Sequence, residues 1–211
     1  MCPPVIKQPV FIVIAGPNGS GKSTLASSLQ VHEWGRNAEF INADLIAREL
    51  GDWNDPECVR KAQQECRVRL ERAMSEGCDI MYESVFSHDS KIDLVKNAVK
   101  AGYFCRFFFV GTASPSINIE RVSIRVSENG HDVPLDKIES RFQRSFLNSA
   151  AAMRIVQRGY CYDNSRTVDE NADFPIKPLF RTVNGRKEKE YLNPEEWNPI
   201  FRSFLRNVCD S

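Results

Sequence analysis

The chain has 211 residues, which is long enough for one α/β domain with a sizeable buried core. Its 28 basic and 28 acidic residues give a formal net charge of zero, which argues against nucleic acid or a membrane surface as partners. The seven cysteines have no metal-like spacing, and no apolar run approaches the roughly 20 residues that span a bilayer. We expect reduced thiols, no signal peptide and a cytoplasmic protein.

The first predicted element is a buried strand, because Val10–Ala15 is a continuous run of apolar residues. The next residues have the form G-x-x-x-x-G-K-[ST] of a P-loop, and a helical apolar pattern follows them. This loop reads Gly16-Pro17-Asn18-Gly19-Ser20-Gly21-Lys22-Ser23-Thr24. We expect all of these residues to bind the nucleotide, with Lys22 on the β- and γ-phosphates and the Ser23 hydroxyl on Mg²⁺.

The second and third predicted strands, residues 38–44 and 79–85, each carry an acid near the end. Parallel sheets bind ligands at the carboxyl ends of their strands, so Asp44 is a candidate general base. Asp44 could equally do no more than cap the helix that follows. Glu83 lies near the end of the third strand, and His88 opens the next helix. His88 either positions a substrate or is a helix-start residue without chemistry.

The fourth predicted strand, residues 104–110, is interrupted by Arg106, which suggests a strand end or an edge position. A fifth short strand covers residues 159–164, and Asn164 either contacts the adenine or makes a turn. Strand and helix alternate five times, which predicts an α/β fold with a parallel five-stranded sheet and helices on both faces. The tail predicts a hairpin turning at Asn184-Gly185 and a last helix near residues 194–208, which we expect to cover a sheet edge.

Arginines are concentrated between residues 121 and 144, on two predicted helices that a Gly-containing break separates. Arg121 and Arg125 lie on the first helix, and Arg141 and Arg144 lie on nearly one face of the second, which runs from about residue 134 to 158. Small-molecule kinases build a lid over the transferring phosphate in this way, since arginine stabilises charge on the phosphoryl oxygens. Each arginine taken alone could equally be surface charge on an amphipathic helix.

The class of P-loop protein is narrowed by motifs that the sequence lacks. The sequence has no N-K-x-D and no D-x-x-G motif, which disfavours a GTPase. It also has no L-S-G-G-Q motif, which disfavours a transporter-type ATPase. A small-molecule kinase is favoured. The alternatives are a nucleotide-dependent binding module and a kinase acting on a nucleoside, a nucleic-acid end or a protein side chain. We expect one domain over residues 1–211, with a core at 8–166, a lid at about 121–144 and the hairpin and helix at 176–209.

Several blocks, in order from about residue 10 to 165, resemble the zeta toxin family. They are the P-loop; Asn42-Ala43-Asp44 with Ile46-Ala47; Glu83-Ser84-Val85-Phe86-Ser87-His88; Arg121-Val122 with Arg125-Val126; Gly130-His131-Asp132-Val133-Pro134 with Ile138 and Arg141-Phe142; and Tyr162-Asp163-Asn164-Ser165. The sequence departs from the family at Asn129, where short members usually have a second glycine, and it lacks the long C-terminal extension of the larger toxins.

The resemblance implies a kinase, since the best-known members phosphorylate a hydroxyl of UDP-N-acetylglucosamine with ATP or GTP. By resemblance Asp44 would be the general base, and Glu83 would contact the sugar nucleotide. Arg125 and Arg141 would bind the nucleotide phosphates, with Arg121 as a rival for the first position. The implied partners are a nucleotide, a small-molecule acceptor and, as an open possibility, an antitoxin protein.

Overall fold

The computed structural model describes residues 7–51, 54–128, 133–165 and 176–209. The strands are β1 (Val10–Ala15), β2 (Glu39–Asn42), β3 (Ile80–Ser84), β4 (Phe104–Gly111), β5 (Arg158–Asp163), β6 (Lys177–Val183) and β7 (Arg186–Glu190). The helices are α1 (Lys22–Val31), α2 (Ala43–Leu50), α3 (Pro56–Ser75), α4 (Ser90–Lys100), α5 (Pro115–Ser127), α6 (Leu135–Met153) and α7 (Pro199–Cys209).

The described strands form one seven-stranded sheet in the order β2-β3-β1-β4-β5-β6-β7. The first five of these pair in parallel, as predicted, and β1 lies between β3 and β4. The predicted hairpin adds the antiparallel strands β6 and β7 to the edge at β5. Because the parallel strands point the same way, the carboxyl ends of β1, β3 and β4 meet at one edge, which is where ligands bind in such sheets.

Apolar residues cover both faces of the sheet, which confirms the α/β fold class. On one face Ile12 and Ile14 of β1 pack with Leu25 and Leu29 of α1. On the other face the alternate residues of β1 pack in a larger cluster with α2, α3, α4, α6 and α7. A small separate cluster of Val122, Val133 and Ile138 joins α5 to α6. The two arginine-bearing helices therefore have a contact of their own beside the sheet.

The prediction for Arg106 was wrong, because this residue lies inside β4, where it pairs with β1 and with β5. Its guanidinium lies 4.1 Å from the centre of the Trp34 ring, and it donates a 3.1 Å hydrogen bond to the Tyr160 hydroxyl. The Trp34 ring over the guanidinium and the hydrogen bond to Tyr160 make an arginine tolerable inside the sheet.

Three predicted boundaries also shift in the structure. The strand β2 ends at Asn42, so Asp44 belongs to the first turn of α2. The helix α6 ends at Met153, earlier than predicted. Pro194 begins only a short 3-10 turn, and the last helix begins at Pro199. In the four described stretches, no helix is long and apolar enough to cross a membrane.

Candidate active site

The P-loop connects β1 to α1 at the carboxyl edge of the sheet. Gly16, Gly19 and Gly21 have φ angles of 153°, 74° and 93°, which side chains rarely adopt. The surroundings are also closed to a side chain, since a Cβ on Gly16 would lie 2.0 Å from the Val110 carbonyl oxygen. The glycines therefore serve both the turn of the loop and its close packing against β4.

Two asparagines hold the loop from outside. The Asn118 side chain of α5 donates from Nδ2 to the Asn18 carbonyl, and Thr112 Oγ1 donates to its Oδ1. The Asn164 side chain donates from Nδ2 to the Ser20 carbonyl at 2.9 Å. Sequence reasoning missed Asn118, because a lone polar residue in a helix carries no local signal. Of the two interpretations of Asn164, neither included this contact.

Lys22 lies at the centre of the candidate site. Its side chain is buried, with 8% exposed, and Nζ donates a 2.9 Å hydrogen bond to the Pro17 carbonyl. Burial lowers the pKa of Lys22 below its ordinary 10.5, Glu83 and Asp44 oppose this shift, and the Arg125 charge adds to it. The structure therefore brings together the predicted lysine, both predicted acids and one predicted arginine.

Glu83 contacts the P-loop directly. Its Oε1 accepts a 2.8 Å hydrogen bond from the Ser23 hydroxyl, and the residue is 7% exposed. Its Oε2 is buried and has no hydrogen-bond partner among the residues that the structure describes. Because Mg²⁺ prefers oxygen ligands and usually takes few of them from the protein, a hydroxyl beside a carboxylate with a spare oxygen fits this ion.

Asp44 is not the cap of α2. The cap is Asn42, whose Oδ1 accepts the Asp44 backbone N–H at 2.8 Å. The Asp44 carboxylate acts on one buried and one half-buried cation, since it opposes the lowering of the pKa of Lys22 and of Arg141. Asp44 therefore lies near the P-loop lysine and a predicted site arginine, and its role as general base stays a prediction.

The four arginines have different environments. Arg125 lies near Lys22, and burial lowers the pKa of Arg141 while Asp44 opposes that shift. Arg144 hydrogen-bonds within its own helix, to the Ser140 carbonyl at 3.1 Å, and is exposed. Arg121 donates to the Asn164 carbonyl at 2.8 Å, next to the end of β5.

The expected acceptor-site residues are not all brought together. Glu83 lies on β3 and Arg121 beside the end of β5, and β1 and β4 lie between these strands. His88 is exposed at the start of α4, where its Nδ1 is 3.0 Å from Ser90 Oγ. This placement agrees with the interpretation of His88 as a helix-start residue. Acceptor binding by Arg121 and His88 stays a prediction.

A family model for zeta toxins matches residues 2–173. The chain belongs to the zeta toxin family. The match includes the P-loop, both acids and the arginines, whereas β6, β7 and α7 lie beyond it. The family block Gly130-His131-Asp132 falls outside the described residues, so the predicted centre of the lid is not described.

Solved structures and a curated relative resemble this zeta toxin family member. A structure from the PezAT chromosomal toxin-antitoxin system of Streptococcus pneumoniae has a TM-score of 0.62 at 16% identity, covering 96% of this chain and 84% of that one. The AvrRxo1-ORF1:AvrRxo1-ORF2 structure with ATP has a TM-score of 0.65 at 13% identity, covering 94% and 64%. An uncharacterized protein of Haemophilus influenzae is 27% identical over 141 residues, which cover 65% of this chain and 95% of the relative.

Proposed function

We propose that the protein is a kinase that transfers the γ-phosphoryl group of ATP or GTP to a hydroxyl group of a small molecule. The observation that carries this proposal is the cluster around buried Lys22, where a P-loop, two carboxylates and an arginine meet. A binding module needs the loop but needs no second acid beside it. Asp44 and Glu83 together therefore favour group transfer over a nucleotide-dependent switch.

The nucleotide would bind with its phosphates on the P-loop. The loop N–H groups and the N-terminus of α1 favour anions, and Lys22 would exchange the Pro17 carbonyl for phosphate oxygens. Ser23 and Glu83 would hold Mg²⁺, which would supply neutralisation of the phosphate charge. The hydrogen bond from Ser23 supports this role for Glu83, and the acceptor contact expected from the sequence remains a second proposal for the same carboxylate.

The acceptor would approach on the side of Asp44. We assign to Asp44 the acceptance of the proton from the attacking hydroxyl, which is the role of the catalytic aspartate in many kinases. Arg125 and Arg141 would stabilise the charge that develops on the phosphoryl oxygens. UDP-N-acetylglucosamine is the acceptor to test first, and similarity to the PezAT system supports an antitoxin as a partner.

The test is phosphorus NMR of the purified protein with ATP and Mg²⁺, with and without UDP-N-acetylglucosamine. We expect a new sugar-phosphate resonance that is lost in Asp44→Asn and kept in Asp93→Asn, an exposed acid on α4 that pairs with Lys96. ADP and free phosphate alone would refute this acceptor and lead to a search in metabolite extracts. ATP binding without turnover, under every acceptor tested, would favour the binding module.

A further inference from the structure

We propose that Asn118 and Asn164 are positioning residues, each of which aims one N–H group of the P-loop at the bound polyphosphate. The inference rests on the proposed function in one respect only, namely that the loop binds polyphosphate. The amide of Asn118 is fully buried and binds the Asn18 carbonyl, and the amide of Asn164 binds the Ser20 carbonyl. Neither residue needs to touch the nucleotide to act in this way.

The geometry of the peptide bond connects these carbonyls to the cradle. In a planar trans peptide the C=O of one residue and the N–H of the next point in opposite directions. The peptide bonds of the described chain are trans. Holding the Asn18 carbonyl outward therefore turns the Gly19 N–H toward the inside of the loop, and holding the Ser20 carbonyl outward does the same for the Gly21 N–H.

The orientation of both amides is fixed by chemistry. A backbone carbonyl can only accept a hydrogen bond, so each asparagine must present its NH₂ group to the loop. For Asn118 the Thr112 hydroxyl occupies the other end of the amide, where it donates to Oδ1. The Asn164 backbone is held as well, because its N–H donates to the Gly111 carbonyl at 2.9 Å and its carbonyl accepts from Arg121.

Each asparagine also fits against the glycine whose N–H it aims. A Cβ on Gly19 would lie 2.8 Å from the backbone carbonyl oxygen of Asn118, and a Cβ on Gly21 would lie 2.3 Å from the side-chain Nδ2 of Asn164. The missing side chains thus make room for the two supports as well as for the turn. The helix that supplies Asn118 also carries Arg125, about two turns later on nearly the same face, so one helix provides both the support and a site arginine.

The experiment compares Asn164→Ala and Asn118→Leu with controls that remove a neighbouring hydrogen bond but not the one to the loop. Ser165→Ala removes the hydroxyl that accepts from the Ala113 N–H at 2.8 Å, and Ser123→Ala removes a hydroxyl on α5 that donates to the Ile119 carbonyl at 2.9 Å. Binding of ATP and of inorganic tripolyphosphate is measured by calorimetry. Spectra of glycine-selective ¹⁵N-labelled protein follow the Gly19 and Gly21 amides during the tripolyphosphate titration.

We expect each asparagine variant to bind both ligands about tenfold more weakly, because one charge-assisted hydrogen bond to phosphate is misaligned. The shift of the Gly21 amide should be lost in Asn164→Ala, and that of Gly19 in Asn118→Leu. Weaker ATP binding with unchanged tripolyphosphate binding would overturn the inference, since Asn164 would then contact the base. An equal loss of ligand affinity in the control variants would also overturn the inference.

Two further outcomes separate this inference from the proposed function. If the wild-type protein binds both ligands and the asparagine variants bind them equally well, with normal glycine shifts, only the positioning role fails. If the wild-type protein binds neither ligand, the nucleotide-binding part of the proposed function fails, and the positioning role fails with it. The half-exposed Asn164 keeps the test open should Asn118→Leu not fold.

Discussion

The burial of Lys22 makes a prediction about how stability depends on pH. Its pKa is lowered in the folded protein, chiefly by burial, so at alkaline pH below 10.5 the unfolded chain binds more protons than the folded one. The free energy of unfolding contributed by Lys22 must therefore rise with pH in the window between the lowered pKa and 10.5. The slope cannot exceed about 1.4 kcal/mol per pH unit for a single group.

Other buried titratable groups make the free energy of unfolding fall as the pH rises, so the assay must cancel their contribution. Burial raises the pKa of Cys105 to about 12 and raises that of Tyr162 as well. For these acids the folded state holds its protons longer, so their contribution falls as the pH rises. The assay is therefore a comparison of the wild-type protein with Lys22→Met, in which these contributions are shared, by urea unfolding at several pH values from 8 to 10.5.

We expect the wild-type protein to gain stability relative to Lys22→Met as the pH rises through this range. A difference that stays constant would refute the inference that the Lys22 ammonium is desolvated. Added ATP should reverse the effect, since a polyphosphate next to Nζ raises the pKa of Lys22 and binding then takes up a proton. Calorimetry at several pH values from 8 to 10.5, in buffers of different ionisation enthalpy, measures that uptake, and zero uptake throughout this range would place the phosphates away from this lysine.

Three other predictions concern single side chains. Asp44→Asn should keep ATP affinity and reduce phosphoryl transfer by at least ~100-fold, and transfer at the wild-type rate would exclude Asp44 as the base. Glu83→Gln should weaken binding of ATP with Mg²⁺ but not of ATP with EDTA, as calorimetry would show; equal loss under both conditions would remove Glu83 from the metal site. Gly16→Ala should lower the free energy of unfolding by more than about 2 kcal/mol, because its Cβ would collide with the Val110 carbonyl. The control Gly77→Ala should lower it by about 1 kcal/mol, since Gly77 has a φ of 68° but open space around it. Thermal unfolding measures both, and equal losses would contradict the steric argument.

The sequence predicted elements whose signals are local. The apolar run of β1 and the glycine spacing of the loop each lie within a few residues, and both were found at the predicted positions. The hairpin turn was predictable for the same reason, since Asn184 and Gly185 adopt the positive φ angles of 49° and 72° that Asn-Gly tolerates. In each case the residues themselves restrict the backbone.

Features that depend on distant contacts were not predictable. Arg106 suggested a strand end because nothing in its neighbourhood along the chain indicates the ring of Trp34 above it. Asn118 carried no signal, because its acceptor, the Asn18 carbonyl, lies 100 residues away in the sequence. The end of β2 is a local exception, since Asn42 and Asp44 are both residue types that cap helices and the sequence alone does not choose between them.

Several departures from ordinary packing lie at the edge of the sheet that carries the P-loop. Lys22, Glu83 and Asn118 are buried polar residues at or beside the carboxyl ends of β1, β3 and β4. Just after β3, Phe86 adopts a φ of 58°, which costs a non-glycine residue about 1 kcal/mol, and its fully buried ring packs edge-on against Phe107. Proteins tolerate such local costs where function requires them. Glu83 acts on buried Lys22, and Asn118 holds the loop that precedes it, which supports a site that binds and transfers phosphate, since a purely structural edge would favour apolar residues at these positions.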